Sequence, residues 1–468
     1  MRHCMFAKKA KIAIAVVGAI MMTGCINLKP DMPVADANVP LDFSKNKDGV
    51  IDLSSVERLN WNELFDDEAL NQLIQSALEN NRDMRISLMN VEKVYAQYGV
   101  VSADGLPKIG IGAGGTIGEA GGQKSKQFSG NIGITSFELD LFGKTKSLSD
   151  AAWHELNAQG HMAWASEVAL VTEVAGRYMS LGANQEQLFI AQETLETRRS
   201  SLSIMEKKHK AGVSSDIDIA QEKASLHSAE VDVARYQGLV EKDKHALALL
   251  VGSEIDENLL PDGIVDPMNA DFDFPSDARS SSLLLRPDIV SAEEVLKAKN
   301  ANIGAARAAF FPSIRLTTSA GTASDELFNL FGSGSGTWSF SPQVNLPIFA
   351  GGGLMASLRA AEVDERIALA SYEKSIQTAF AEVSDVISMG DSLEKQARSQ
   401  YDLLVAASNA AKLAKVRYDM GKDSYLQQLD AERTRYAAQK AMIDIELAEM
   451  QNRLAFYKVL GGYVNKTI

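Results

Sequence analysis

The chain has 468 residues, 46% hydrophobic and 23% charged, with a formal charge of −14. That length can bury a large core, the apolar content excludes a disordered chain, and so negative a balance argues against nucleic acid as a partner. The single uninterrupted apolar run, from Ile12 to Met22, is too short for a spanning helix, which excludes a helical membrane bundle.

Arg2, Lys8, Lys9 and Lys11 precede that run and "TGC" follows it. This is the basic, apolar, small-residue order of an export signal, here over residues 1–24. The stretch from Met22 to Cys25 resembles a lipoprotein signal-peptidase site, although Met stands where the pattern prefers Leu. The resemblance implies cleavage before Cys25 and lipidation of its sulfur and new amino group. Ile26 in place of Asp after the cysteine implies the outer membrane. Cys4 leaves with the signal, so the mature chain has no disulfide framework.

A lipidated N-terminal segment is expected over 25–60. Residues 61–252 then read as a first repeat: a helix over 65–103, strands over 107–118 and 128–142, a long helix over 144–211 and another over 214–250. A linker over 253–282, carrying Pro261, Pro267 and Pro275, is expected to form an equatorial belt with the N-terminal segment. A second repeat over 283–468 has the same order: a helix over 283–311, strands over 312–321 and 337–349, a long helix over 352–420 and a last one over 423–459. "HKAGVSSDIDIAQ" is echoed by "YDMGKDSYLQQLD", placing Gly212 and Gly421 at equivalent positions. A period this long marks two copies of one module rather than a solenoid.

The long helices carry a coiled-coil seam: Leu393, Ala397, Tyr401, Leu404, Ala407, Ala411, Ala414 and Tyr418 recur every three or four residues. A helix of nearly 70 residues would be a rod of about 100 Å and needs a partner for its apolar stripe. Glycines 212 and 421 fall where helices end, marking hairpin tips. The strands alternate. Trp338, Phe340, Pro342, Val344, Leu346 and Ile348 lie on one face, with Ser339, Ser341, Gln343 and Asn345 on the other, the period of a strand between lipid and water. A sheet in hydrocarbon tolerates no open edge, and about eight strands is the smallest observed barrel. Four strands therefore require several copies of the chain to share one barrel.

"VRYDMGKDSYLQQLDAERTRYAAQ", "FYKVLGG", "KHKAGVSSDIDIAQ", "FELDLFGK", "LRPDI" and "FFPSI" resemble TolC-type outer-membrane efflux proteins over nearly the whole chain. They are most similar to the OprM-like (NodT-type) lipoprotein branch. The resemblance implies a homotrimer: a long α-helical coiled-coil barrel joined to a shared 12-stranded outer-membrane β-barrel, four strands per chain. It implies the exit channel of a tripartite efflux pump for small toxic compounds, partnered by a periplasmic adaptor, an inner-membrane transporter and outer-membrane lipid. It also implies no enzyme activity and no cofactor beyond the lipid on Cys25. The duct of a protein-secretion system is the near alternative; a trimeric surface adhesin is a further one, disfavoured because its strands would be contiguous and C-terminal.

Residue by residue, Leu426 and Asp430 match positions where this family narrows the pore. Gln427 replaces a second acidic gate residue, and Tyr418 matches a tyrosine that helps latch the closed state. A leucine ring excludes water and an aspartate ring attracts cations. Leu426 and Tyr418 read equally as seam residues, and Asp430 as a solvated charge. The adaptor is expected at Ala211, Gly212, Val213 and Ser214 of one tip and at Met420, Gly421, Lys422 and Asp423 of the other. "GIGAGG" has dinucleotide-like spacing but lies within a strand, and "HELNAQGH" lacks the spacing of a zinc helix.

Overall fold

The computed structural model describes residues 28–37, 39, 56–58, 60–269 and 280–465. The signal, Cys25, most of the segment up to residue 60 and the middle of the linker lie outside the described residues. In chain order the elements are β1 (Val56–Arg58), α1 (Trp61–Leu64), α2 (Glu68–Asn80), α3 (Arg82–Ala103), β2 (Ile109–Ala120), β3 (Gln123–Leu139), α4 (Lys144–Lys210) and α5 (Asp216–Val251). After the linker come α6 (Pro287–Ala308), β4 (Ser313–Ser324), β5 (Gly336–Asn345), α7 (Gly353–Asp419), α8 (Tyr425–Val459) and β6 (Tyr463–Asn465). Both α4 and α7 run for 67 residues. The chain forms two compact units.

One unit contains Asn90–Gly160, Ser291–Glu373 and the described residues up to Asp36. Its sheet has the order β2-β3-β4-β5, antiparallel throughout. The expected loop between β2 and β3 is a correction. The strands continue to the pair Ala120–Gln123, and Gly121 and Gly122 turn with φ of 60° and 80°, the double positive φ that a two-residue hairpin needs.

Pairing register sorts the side chains. Ile111, Ile132, Ala320 and Trp338 form one cross-strand row, and Ile109, Ile134, Thr318 and Phe340 another. On the opposite face Gly110, Gly133, Ser319 and Ser339 run between them, and Gly112, Asn131, Gly321 and Thr337 run just beyond the first row. One face is therefore aliphatic and aromatic, and the other is glycine, serine and amide. Alternation along β3 is interrupted by a bulge between Ile134 and Phe137, where Ser136 has φ 57°. One extra residue flips the parity, so Phe137 and Leu139 stay on the apolar side. Glu138 turns to the polar side, where Arg315 Nε lies 3.3 Å from its carboxylate.

The same unit packs α4 on α6 through Ala151, Ala298 and Ala301, small residues that let helices approach. Residues 28–36 lie along α6. Arg307 Nη1 donates to the Leu28 carbonyl (3.3 Å) and Asn300 Nδ2 to the Asp31 carbonyl (3.4 Å). A Cβ on Gly304 would come within 3.3 Å of the Lys29 backbone, so glycine there gives the segment its bed.

The other unit contains Ala37–Met89, His161–Val290 and Lys374–Ile468 as far as they are described. Leu70, Leu73, Ile74 and Ala77 line one face of α2 and are buried with Val171, Val174 and Tyr178 of α4 and Leu247 and Val251 of α5. Asp67 caps α2, accepting from the Leu70 N–H at 3.0 Å and from the Tyr178 hydroxyl at 2.9 Å. The single helix expected over 65–103 is broken at Asn81, because the Asn81 side chain replaces the missing helical bonds. Its Oδ1 accepts from the Met84 N–H (2.9 Å) and its Nδ2 donates to the Leu250 carbonyl (2.8 Å). Asn81→Ala strands both groups in a buried place and is expected to cost about 2 kcal/mol, seen as an earlier denaturant midpoint of the purified protein.

The seam of α7 is corrected by one residue. Tyr401 is 60% exposed, and Gln400 takes its place, donating from Nε2 to the Ala438 carbonyl of α8 at 2.9 Å. Positions 393, 397, 400, 404, 407, 411, 414 and 418 then alternate in steps of four and three, the strict heptad. Near the chain end β1 pairs with β6. Arg286 of "LRPDI" is 7% exposed. It donates to Asp288 through Nε and Nη2 (3.1 and 2.8 Å), to Glu382 (2.8 Å) and to the Val459 carbonyl (2.9 Å).

Candidate functional site: the hairpin tips

The two hairpins end in the same backbone motif. The Gly212 N–H donates to the His209 carbonyl (2.8 Å) and the Val213 N–H to the Lys208 carbonyl (2.9 Å). The Gly421 N–H donates to Tyr418 (2.8 Å) and the Lys422 N–H to Arg417 (2.9 Å). With φ of 74° and 70° at the two glycines, both are Schellman ends, where a Cβ would be strained.

The helices that follow are started differently. Ser215 and Asp218 form a reciprocal capping box at α5, at 3.0 and 3.2 Å. The hydrogen bond from the Ser215 backbone holds the Asp218 carboxyl below its usual range. Ser424 makes no side-chain cap bond at α8. The second tip is held instead by Arg417, whose guanidinium forks onto Asp423 at 2.5 and 2.8 Å and keeps that carboxyl low. Ala211, Gly212, Val213, Met420, Gly421 and Lys422 are exposed. Ser214 and Asp423 are engaged within their own turns, Ser214 through its hydroxyl on Met205 Sδ at 2.9 Å.

Leu426, Gln427 and Asp430 are exposed on the first turns of α8, while Tyr425, Gln428 and Leu429 are buried. Leu426 and Asp430 are four residues apart and share a face. Tyr418 lies elsewhere, packed against the cluster of Met205, Tyr425 and Leu429. Its ring is 5.6 Å from that of Tyr425, and its hydroxyl accepts from Lys208 Nζ at 3.1 Å.

Behind this face is a polar node that the sequence reading missed. Glu222 of α5 is fully buried. The Tyr425 hydroxyl donates to its Oε2, and Arg198 Nη1 of α4 lies 3.8 Å from the same oxygen. Arg198 Nη2 reaches Glu432 of α8 at 2.8 Å, and Gln428 Nε2 donates to Glu432 at 2.9 Å. Arg433 donates to Ser225 at 2.6 Å. Burial pushes the Glu222 carboxyl above its usual range, and burial followed by the bond to Glu222 pushes the Tyr425 hydroxyl up. The available signal was an acid on the seam of α5. Asp243 is buried there too, with Asn184 Nδ2 donating to it at 2.6 Å, and Asp232 accepts from the Tyr436 hydroxyl at 3.0 Å.

These features belong to a known class. The chain is a member of the outer membrane efflux protein family, whose model matches residues 73–253 and again 278–462, one match per repeat. It is similar to a probable efflux pump outer membrane protein of Pseudomonas putida, TtgC, at 38% identity over 472 residues, covering 97% of this chain and 96% of that protein. It is also similar to the cation efflux system protein CusC of Escherichia coli O157:H7, at 36% over 452 residues, covering 95% and 97%. Among solved structures, a membrane protein from Pseudomonas aeruginosa matches with a TM-score of 0.86 at 33% identity, covering 93% of this chain and 100% of that one. The open state of the Neisseria gonorrhoeae MtrE outer membrane channel matches with 0.85 at 34%, covering 93% and 98%. The chain is thus an outer-membrane efflux channel with a TolC-like fold, mostly helical with one four-stranded antiparallel sheet.

Proposed function

We infer that the trimer is the passive exit duct of a tripartite pump, lipid-anchored at Cys25 and closed at its periplasmic end by rings of Leu426 and Asp430. A periplasmic adaptor engages the exposed backbone around Gly212 and Gly421, and an inner-membrane transporter supplies the energy. The chain performs no chemistry and needs no cofactor beyond the covalent lipid. The observation that carries the closure is the face of α8: Leu426 and Asp430 are exposed, while their neighbours Tyr425, Gln428 and Leu429 are buried. Gln427 leaves one acid per chain at this level, enough to favour cations without a tight divalent site.

Support for the anchor comes from the strap on α6. Leu28 is held by Arg307, six residues before β4 begins at Ser313. Cys25 is three residues further back, and three residues of chain reach at most about 10 Å, which keeps the lipid close to the barrel. Relatives carry names of toluene, antibiotic and cation efflux proteins. The cargo proposed here is small apolar toxic compounds, the theme of the solvent and antibiotic relatives.

Two variants test this reading. Cys25→Ser is expected to abolish incorporation of labelled fatty acid; label retained in Cys25→Ser would place the lipid elsewhere. Leu426→Ala is expected to raise single-channel conductance severalfold in a planar bilayer, and an unchanged conductance would remove Leu426 from the constriction. Deleting the gene and scoring sensitivity to solvents, antibiotics and metal salts identifies the cargo. Hypersensitivity to metal salts alone would contradict the apolar assignment.

A further inference from the structure

We propose that Glu222 is a positioning residue of the periplasmic closure, fixing through Tyr425 and Arg198 the turn of α8 that presents Leu426 and Asp430. This rests on the reading of Leu426 and Asp430 as the constriction. Tyr425 is the first residue of α8 and directly precedes Leu426. Its buried hydroxyl donates to Glu222 on α5. Two turns along, Glu432 accepts from Arg198 of α4 at 2.8 Å. One carboxylate and one guanidinium therefore tie the start of α8 to both helices of the first hairpin. The charged and titratable groups facing Glu222 are Arg198 from α4 and Tyr425, Glu432 and Arg433 from α8.

An apolar seam fixes the rotation of α8 less sharply than hydrogen bonds do, since individual dispersion contacts have no strong direction. Hydrogen bonds to a buried carboxylate do have direction, and in a low dielectric they count for more. The helix start has no side-chain cap of its own, so these bonds set its rotation. Leu426 projects about 100° around the helix from Tyr425; a small rotation released at Tyr425 swings Leu426 away from its resting place. The same bonds make release feasible. Once α8 moves, the Glu222 carboxylate and the Arg198 guanidinium regain water, which offsets part of the lost contact.

The test is single-channel conductance of the purified full-length protein for Glu222→Ala, Glu222→Gln, Tyr425→Phe and Leu426→Ala. Glu222→Ala and Tyr425→Phe are expected to raise conductance severalfold while the trimer stays intact on a gel. Glu222→Gln keeps an acceptor for the Tyr425 hydroxyl and is expected to restore low conductance. A merely structural role would lower the melting temperature of these variants and leave conductance alone, which would overturn the proposal. If Glu222→Ala fails to assemble, Tyr425→Phe carries the test, because it removes one oxygen and no packing volume; unchanged conductance there also overturns it. Should Leu426→Ala raise conductance while Tyr425→Phe does not, the constriction stands and this proposal falls. If Leu426→Ala itself has no effect, it is the constriction that is misplaced.

Discussion

Ile132→Arg is expected to abolish assembly of the barrel in the outer membrane, and Asn131→Arg, one residue away, to leave it intact. Ile132 pairs with Ile111 on one side and Ala320 on the other, in the middle of the apolar face. An arginine at mid-depth on a lipid face costs about 2–4 kcal/mol, and three copies would carry it at once. Asn131 pairs with Gly112 and Gly321, so an arginine there enters the polar interior between two residues without side chains. Outer-membrane yield and heat-modifiable gel migration report the difference. Equal loss in both variants would mean that the two faces have been assigned without basis.

Arg286→Ala is expected to destabilise the protein by about 2–4 kcal/mol. The guanidinium is buried and makes four hydrogen bonds, bridging Asp288, Glu382 and the carbonyl that ends α8. Complete loss of a fully buried pair costs about 3–5 kcal/mol. Here the Asp288 and Glu382 side chains are 39% and 45% exposed, so water recovers part of their solvation and the figure is discounted. Arg286→Lys is expected to recover little of the loss, because a point charge cannot reproduce the fork. The urea midpoint of the detergent-solubilised protein measures both variants; full recovery with lysine would show that charge alone matters.

What was legible followed from periodicity. Alternation in β5 and the echo of Gly212 at Gly421 gave the strands, the duplication and the hairpin ends, because each is a pattern written in residue type and spacing alone. Where the structure differs from the sequence pattern, the cause is mostly a partner distant in sequence. Asn81 ends one helix and starts the next with a side chain that also serves the carbonyl of Leu250, a partner 169 residues away. Tyr401 fits the seam by residue type, since an aromatic looks more like core than Gln400 does, yet the Gln400 amide reaches a backbone carbonyl that no sequence pattern displays. The slip in β3 was readable: Ile132 and Ile134 change phase to Phe137 and Leu139, which is the mark of a bulge. At the tips, Leu426 and Asp430 came from resemblance. The Glu222 node was hidden because its partners come from three helices, although a carboxylate on a seam position was there to be questioned.

Each chain brings one four-stranded sheet with open edges, so several chains must close a single wall, and the family's fold sets that number at three. Single-particle electron microscopy of the detergent-extracted protein tests it most directly. The expected result is a threefold particle with one continuous β-barrel and one central channel. A monodisperse single chain with no channel would contradict it.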